Sequence, residues 1–177
     1  MSKILVLSGS PRKNGNTDLL VEAFKNGVKK NNEIDIISVR DYNINPCIGC
    51  NRCFENDGNI CIQRDDMPLI YDRMKEADIV VIASPVYFYG ISAQLKALVD
   101  RFHTPMRNSF NTKKLGLILV GAATIPELFD SILVQYRLIL KFFGLEDIGT
   151  VLVSGSKDKG DITENDLKKA YKLGESL

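Results

Sequence analysis

The sequence predicts an α/β protein whose centre is a doubly wound parallel sheet of five strands with helices on both faces. Short apolar runs alternate with segments of helical periodicity from one end of the chain to the other. Polar loops rich in glycine and serine directly follow some of these runs, as loops at the edge of such a sheet do. The length of 177 residues, 45% of them hydrophobic, suits one domain with one sizeable core.

Five apolar runs are the predicted strands. Each is short and bounded by turn residues, and most are rich in isoleucine, leucine or valine, as buried parallel strands are. The runs are Lys3–Leu7, Ile34–Val39, Asp78–Ala83, Leu115–Val120 and a fifth strand that includes Val151–Val153.

Apolar residues at helical spacing fill the intervals between the strands. Asn16 or Thr17 is the expected cap of the first helix, and Ser92 caps the helix after the third strand. The stripe Leu128–Phe143 predicts a long core helix whose apolar width also allows a dimer face. Thr163 opens the last helix with capping-box spacing.

The alternation of strands and helices favours the flavodoxin-like strand order 2-1-3-4-5. In such sheets ligands bind at the carboxyl ends of the strands, beside the switch point between strands one and three. We therefore expect the functional residues in the loops that follow Leu7, Ala83 and Val120.

The first of these loops, SGSPRKNGNT at 8–17, has the composition of a phosphate site. It offers hydroxyl groups and the Arg12 guanidinium, and it opens a helix whose free backbone N–H groups attract an anion. It lacks the ending of a P-loop and the glycine fingerprint of dinucleotide sites. A single phosphate, as in a mononucleotide such as FMN, fits better than a pyrophosphate. The alternative is a polar turn that only caps the helix.

The loop SPVYFYG at 84–90 places three aromatic residues beside the predicted phosphate site. A planar tricyclic ring needs apolar walls and backbone N–H donors for its polar edge, and this loop offers both. Aromatic core packing is the alternative, and it suits only one of Tyr87, Phe88 and Tyr89, because adjacent side chains cannot all face inward.

Three segments carry a family resemblance: GSPRKNGNT after the first strand, PVYFYGISAQLKALVDR after the third, and CIGCNRC…C followed by DDM between them. Together they resemble the FMN-binding NAD(P)H-dependent reductases of flavodoxin-like fold. The cysteine pattern is similar to that of their iron–sulfur flavoprotein branch. The resemblance implies one FMN-binding domain at 1–177, with a cysteine-bearing insertion loop at 46–66. The residues it implies for FMN are Ser8, Ser10, Arg12, Asn16, Thr17, Pro85, Val86, Tyr87, Phe88, Tyr89, Gly90 and Gly121.

The resemblance also implies partners. Electrons would pass from NAD(P)H or a ferredoxin-type donor to a quinone, a flavin or a similar small acceptor, in a homodimer or homotetramer. No catalytic side chain is expected, because hydride transfer to a flavin does not demand a protein acid or base. The alternative is a flavodoxin-like electron carrier or regulatory FMN-binding protein without turnover. A net charge of +1 disfavours a carrier that docks basic partners, and it also argues against nucleic acid.

All four cysteines lie in one segment, at Cys47, Cys50, Cys53 and Cys61. C-x-x-C-x-x-C is the compact half of a bacterial ferredoxin motif, and the turn pair Asp57-Gly58 can fold Cys61 back as the fourth ligand of a [4Fe–4S] cluster. Zinc prefers two separated pairs, and disulfides are rare in the cytoplasm, where we expect a chain without signal peptide or membrane span. Four unligated thiols are the alternative.

Three further residues have ordinary interpretations. His103 is the only histidine, and a surface position is expected for it. Asp65 and Asp66 precede Met67-Pro68, which is typical of residues that cap a helix, here a short one near 68–76.

Overall fold

The computed structural model describes all 177 residues, and a twisted sheet with helices on both faces forms its centre. The strands are β1 (Lys3–Ser8), β2 (Glu33–Ser38), β3 (Ile79–Tyr87), β4 (Gly90–Ile91), β5 (Lys114–Val120) and β6 (Glu146–Val153). The helices are α1 (Asn16–Gly27), α2 (Arg52–Glu55), α3 (Met67–Glu76), α4 (Ala93–Asp100), α5 (Asp130–Phe143) and α6 (Glu164–Glu175).

The predicted α/β architecture with a parallel sheet is confirmed, but the strand count was wrong. The parallel strands lie in the order β2-β1-β3-β5-β6, and β4 is a sixth strand that pairs antiparallel with the end of β3. β3 also continues past Ala83, because Ser84 and Pro85 stay in register with β5. The extended β3 carries the aromatic residues beyond the edge of the sheet.

Both faces of the sheet are buried, which explains the continuous apolar runs. Successive residues of a strand face opposite sides, so Leu5 and Leu7 pack with α3, α4 and α5. Ile4 and Val6 face the other side and pack with α1 and α6. The two layers fix where each strand ends and therefore where each loop at the carboxyl edge begins.

Helices α1 and α6 cross with their backbones in contact. A Cβ atom on Gly27 would lie 2.0 Å from the carbonyl oxygen of Tyr171, and one on Gly174 would lie 2.1 Å from that of Phe24. Only glycine permits this approach at either position. The crossing holds α1 against α6.

The helix caps were predicted with mixed success. Ser92 accepts a hydrogen bond from the backbone N–H of Leu95 at 3.3 Å, and Thr163 forms the predicted capping box. The predicted N-cap of α1 was wrong, because Gly15 is the N-cap residue and Asn16 and Thr17 are already helical. None of the helices is both long enough and apolar enough to cross a membrane.

Candidate functional site

A cleft of about 300 Å³ lies at the carboxyl edge of the sheet. It is bounded by the loops after β1, β5 and β6 and by the last three residues of β3, at the switch point where doubly wound sheets bind ligands. Eight of the twelve residues predicted for the cofactor line it, namely Ser10, Arg12, Asn16, Thr17, Pro85, Val86, Tyr87 and Gly121. The sheet thus brings together three loops that are far apart in sequence.

One end of the cleft is built to hold an anion. Helix α1 begins there, and no backbone carbonyl accepts from the N–H groups of residues 16–18. The guanidinium of Arg12 is exposed beside them, and Lys13, Lys157 and Lys159 line the same cleft. Free N–H groups, a helix N-terminus and four cationic side chains fit a phosphate monoester.

Arg40, just after β2, stabilises the first loop through hydrogen bonds to its backbone. Its Nη1 atom donates to the backbone oxygens of Ser10 at 3.0 Å and Arg12 at 3.1 Å, and also to the carboxylate of Asp18. These bonds give the carbonyls of Ser10 and Arg12 a donor within the protein. The loop sequence gave no sign of Arg40, because the residue lies 22 positions beyond its carboxylate partner.

The loop between β6 and α6, SGSKDKG at 154–160, is a part of the site that sequence reasoning missed. The side-chain amide of Asn16 donates to the Asp158 carbonyl at 2.9 Å and accepts from the Gly160 N–H at 3.0 Å. Asn16 thereby ties the first loop to the last one. The signal was available in the lysine-bearing glycine–serine turn after the fifth strand, which ends at the same edge.

Two buried serines join the first loop to the third. The Ser92 hydroxyl donates to the Gly9 carbonyl at 2.7 Å, and the Ser92 N–H donates to Ser84 Oγ at 3.0 Å. A Cβ atom on Gly9 would lie 2.7 Å from Ser92 Oγ, so the chain packs tightly here. These contacts therefore fix the position of the first loop relative to the aromatic loop.

Four of the predicted cofactor residues do not line the cleft. Ser8 lies behind the loop with a buried hydroxyl that has no hydrogen-bond partner. Phe88, Tyr89 and Gly90 lie in or beside the β3–β4 hairpin turn, outside the cleft. Contact between these four residues and a cofactor stays a prediction.

The hairpin itself is conformationally unusual. Phe88 has φ of 48° and Tyr89 has φ of 62°, a left-handed pair that two-residue hairpin loops normally fill with asparagine and glycine. The Phe88 side chain is 99% exposed, and the Tyr89 carbonyl accepts a hydrogen bond from the hydroxyl of Ser131 on α5. Aromatic residues in a strained and exposed turn point to a role outside the fold of this chain.

The four cysteines lie on a loop with little regular structure, apart from the single turn α2. None is in a disulfide, Cys47 and Cys50 are exposed, and Cys53 and Cys61 are partly buried. No three cysteine, histidine or carboxylate side chains are grouped closely enough to hold one metal ion. In a [4Fe–4S] cluster each thiolate binds its own iron, and the four-cysteine donor set fits that chemistry.

The two aspartates after the cysteines were only partly understood from sequence. Asp65 accepts from the Met67 N–H at 3.2 Å, which is the expected contact at the start of α3. The same carboxylate forms a fully buried ion pair with Arg101, which no local pattern indicated. His103 is exposed, as predicted, and its ring lies 5.7 Å from that of Phe54.

A larger cavity of about 520 Å³ lies away from the carboxyl edge. Mostly hydrophobic side chains line it, including Val80, Leu115 and Phe142, and Arg107 stacks over the Phe142 ring at 5.5 Å. Arg107 is the only arginine or lysine in its lining, whereas four such side chains line the smaller cleft. Of the two, only the smaller cleft has the chemistry of an anion site.

Comparisons with known proteins agree with this geometry. A sequence model described as NADPH-dependent FMN reductase matches residues 2–173. An iron–sulfur flavoprotein of Methanocaldococcus jannaschii is 40% identical over 148 residues, covering 78% of this chain and 75% of that protein. One from Archaeoglobus fulgidus is 32% identical over 180 residues, covering 99% and 78%. The solved NAD(P)H:quinone oxidoreductase of Methanothermobacter marburgensis is 16% identical and shares the fold, with a TM-score of 0.79 over 99% of this chain and 95% of that one.

Proposed function

Since the chain belongs to the NADPH-dependent FMN reductase family and is an oxidoreductase, we propose that it binds FMN in the cleft at the carboxyl edge of the sheet and passes electrons from NAD(P)H to a small acceptor such as a quinone or a free flavin. The observation that carries this proposal is the phosphate end of the cleft, where unpaired N–H groups of α1 meet Arg12. When bound, FMN supplies a ring that accepts a hydride.

The residues of this chain bind and orient the cofactor. The N–H groups of 16–18 and the Arg12 side chain hold the phosphate, and the nearby lysines add positive charge. Pro85, Val86 and Tyr87 form the wall against which the ring lies, and Gly121 lies beside Val86 in that wall. A Cβ atom on Gly121 would lie 3.4 Å from that of Val86 and 2.8 Å from a Leu128 methyl carbon, so a larger residue would displace Val86 or Leu128.

We propose further that Cys47, Cys50, Cys53 and Cys61 bind a [4Fe–4S] cluster, which supplies one-electron transfer when bound. The donor set supports this, and the relatives that are 40% and 32% identical are named iron–sulfur flavoproteins. With a cluster, a ferredoxin-type protein becomes an electron donor beside NAD(P)H. Four unligated thiols are the competing assignment.

A homo-oligomer completes the proposal. Val134, Leu138 and Phe142 form an exposed apolar stripe on α5, with 49%, 61% and 64% of their surface accessible. Residues four apart share one face of a helix, so the three side chains present one apolar face to a second copy of the chain.

Anaerobic visible spectroscopy of protein reconstituted with FMN, iron and sulfide tests the proposal. We expect one FMN per chain, bleaching of the flavin bands by NADPH, and their return when a quinone is added. Iron and sulfide assays decide the cysteine assignment separately, because about four irons per chain are expected for the cluster. Protein that binds FMN but no iron would leave the reductase assignment intact and refute the cluster. Protein that refuses FMN would refute both the cleft and the reaction.

A further inference from the structure

The most buried charges of the protein lie at the base of the cysteine loop. Arg101 and Asp65 form a bidentate ion pair, with Nη1 at 2.6 Å and Nη2 at 3.2 Å from the two carboxylate oxygens. Their side chains are 2% and 0% exposed. The other ion pairs of the chain each include a more exposed side chain, so this pair is exceptional within the fold.

The pair joins the two ends of the cysteine loop. Arg101 Nη1 also donates to the backbone carbonyl of Asn45 at 3.0 Å, and Asp65 accepts from the backbone N–H of Asn45 at 2.9 Å. Next to it, the Asp66 N–H donates to the Asn43 carbonyl at 2.9 Å, and the Asn43 N–H donates to the Asp66 carboxylate at 2.7 Å. Residues 43–45 and 65–66 therefore form a closed stem from which residues 46–64 project.

The stem is fixed to the body of the protein through the same arginine. Arg101 directly follows α4, and its own carbonyl accepts a hydrogen bond from the buried Tyr71 hydroxyl of α3 at 2.7 Å. The base of the cysteine loop is thus attached to two packed helices through this ion pair.

The ion pair also lies close to two of the cysteines along the chain. Arg101 donates to the carbonyl of Asn45, two residues before Cys47, and Asp65 lies four residues after Cys61. Burial lowers the pKa of Arg101, but the hydrogen bonds and charge of Asp65 raise it more. The pair therefore places two fixed charges near the first and last cysteines of the loop.

We propose that Arg101 and Asp65 are the positioning residues of the cysteine site. They hold the two ends of the loop together, and they set the fixed charge beside the thiolates. The first role concerns the protein without metal, and the second rests on the proposed cluster. Stability alone is a weak explanation for the pair, because buried ion pairs are often replaced by apolar residues at little cost. Their contacts with both ends of one loop give them a specific task.

The first role is tested on FMN-loaded protein without iron, by limited proteolysis with the cleavage sites mapped by mass spectrometry. We expect Arg101→Met and Asp65→Asn to increase cleavage within 46–64 at least tenfold, while FMN affinity changes less than twofold. Arg101→Lys keeps the positive charge but loses the two parallel hydrogen bonds of the guanidinium. Its cleavage rate within 46–64 is expected to lie between those of wild type and Arg101→Met. Arg73→Met is the control, because it removes an exposed ion pair on α3 and should cleave like wild type.

Two results would overturn the positioning role. One is a cleavage rate within 46–64 that does not change. The other is cleavage throughout the chain together with a parallel loss of FMN, which would show general unfolding. If a single variant does not fold, the double variant Arg101→Met/Asp65→Asn removes both charges at once and leaves neither buried without its partner. It should fold and still show faster cleavage in the loop.

The second role is tested by the reduction potential of the reconstituted cluster. Reduction adds negative charge, so Arg101→Met, which leaves Asp65 facing the cluster, should lower the potential. Asp65→Asn leaves an unpaired guanidinium and should raise it. Shifts of both variants in the same direction would refute the electrostatic role, since a merely loosened loop does not distinguish the sign of the charge. A wild type that takes up no iron would refute the proposed cluster, while the proteolysis still decides the positioning role.

Discussion

Two arginines each fix one of the loops that carry candidate functional residues. Arg40 fixes the first loop by three hydrogen bonds to its backbone and to Asp18, and Arg101 closes the cysteine loop through Asp65. Neither residue lines the cleft, and the motif that ends at Arg101 does not show which residue Arg101 pairs with. Their carboxylate partners lie 22 and 36 residues away in sequence, so only the folded chain shows what they do.

Asp65 gives a prediction about acid stability. Burial acts to raise the pKa of this carboxyl, but hydrogen bonds from Arg101, Asn45 and Met67 lower it more, so its pKa lies below the ordinary value of 3.8. A carboxyl with a lowered pKa contributes stability above its unfolded pKa and loses it as the pH falls through its folded pKa. The free-energy difference between wild type and Asp65→Asn should therefore be about 3–5 kcal/mol near neutral pH and shrink below about pH 4.

Chemical denaturation across a pH series measures this difference. Asp72→Asn is the control, because its pair with Lys75 is exposed and should contribute less than about 1 kcal/mol at any pH. A gap between wild type and Asp65→Asn that stays constant down to pH 2 would contradict a carboxylate role for Asp65.

At the scale of elements, the β3–β4 hairpin keeps aromatic residues where asparagine and glycine are preferred. Replacing Phe88 with Asn and Tyr89 with Gly should raise the free energy of unfolding by about 1–2 kcal/mol, because both residues have left-handed backbone angles. The measurement is thermal and urea unfolding of the cofactor-free protein. Phe88→Tyr retains the strain and should leave stability unchanged. An Asn-Gly variant no more stable than wild type would mean that the aromatic rings contribute to the fold.

A substitution in the contact between α1 and α6 should destabilise the protein. Gly27→Ala would place a methyl group 2.0 Å from a backbone oxygen, so the helices must separate. We expect a loss of about 1–3 kcal/mol in unfolding free energy and weaker FMN binding, because α1 begins at the phosphate end of the cleft. The exposed neighbour Asn26→Ala is the control and should be neutral in both measurements. Normal FMN affinity in Gly27→Ala would show that the start of α1 is set by its loops alone.

The sequence predicted elements better than it predicted their connections. Long apolar runs located the five parallel strands because burial on both faces leaves an unambiguous signal. The two-residue β4 carries no periodicity and was missed. The loop at 154–160 was missed because its role depends on hydrogen bonds to Asn16, which lies more than 140 residues earlier.

At the scale of the whole molecule, the apolar stripe of α5 predicts self-association. Leu138→Lys places a charge at the middle of the stripe and should convert the oligomer to monomer in light scattering after gel filtration. Gln135→Lys adds the same charge to an exposed residue beside the stripe and should leave the mass unchanged. A wild-type protein that is already monomeric at high concentration would refute this interface.

The proposed cofactor site requires a cleft that binds FMN chiefly through its phosphate and less through its ring. Titration of cofactor-free protein with FMN and with riboflavin measures this directly, because the two ligands differ only in the phosphate. We expect FMN to bind at least about 100-fold more tightly, since each charge-assisted hydrogen bond contributes roughly 1.5–3 kcal/mol. Arg12→Met should reduce the preference for FMN over riboflavin about tenfold. Equal affinity of wild-type protein for FMN and riboflavin would contradict the account.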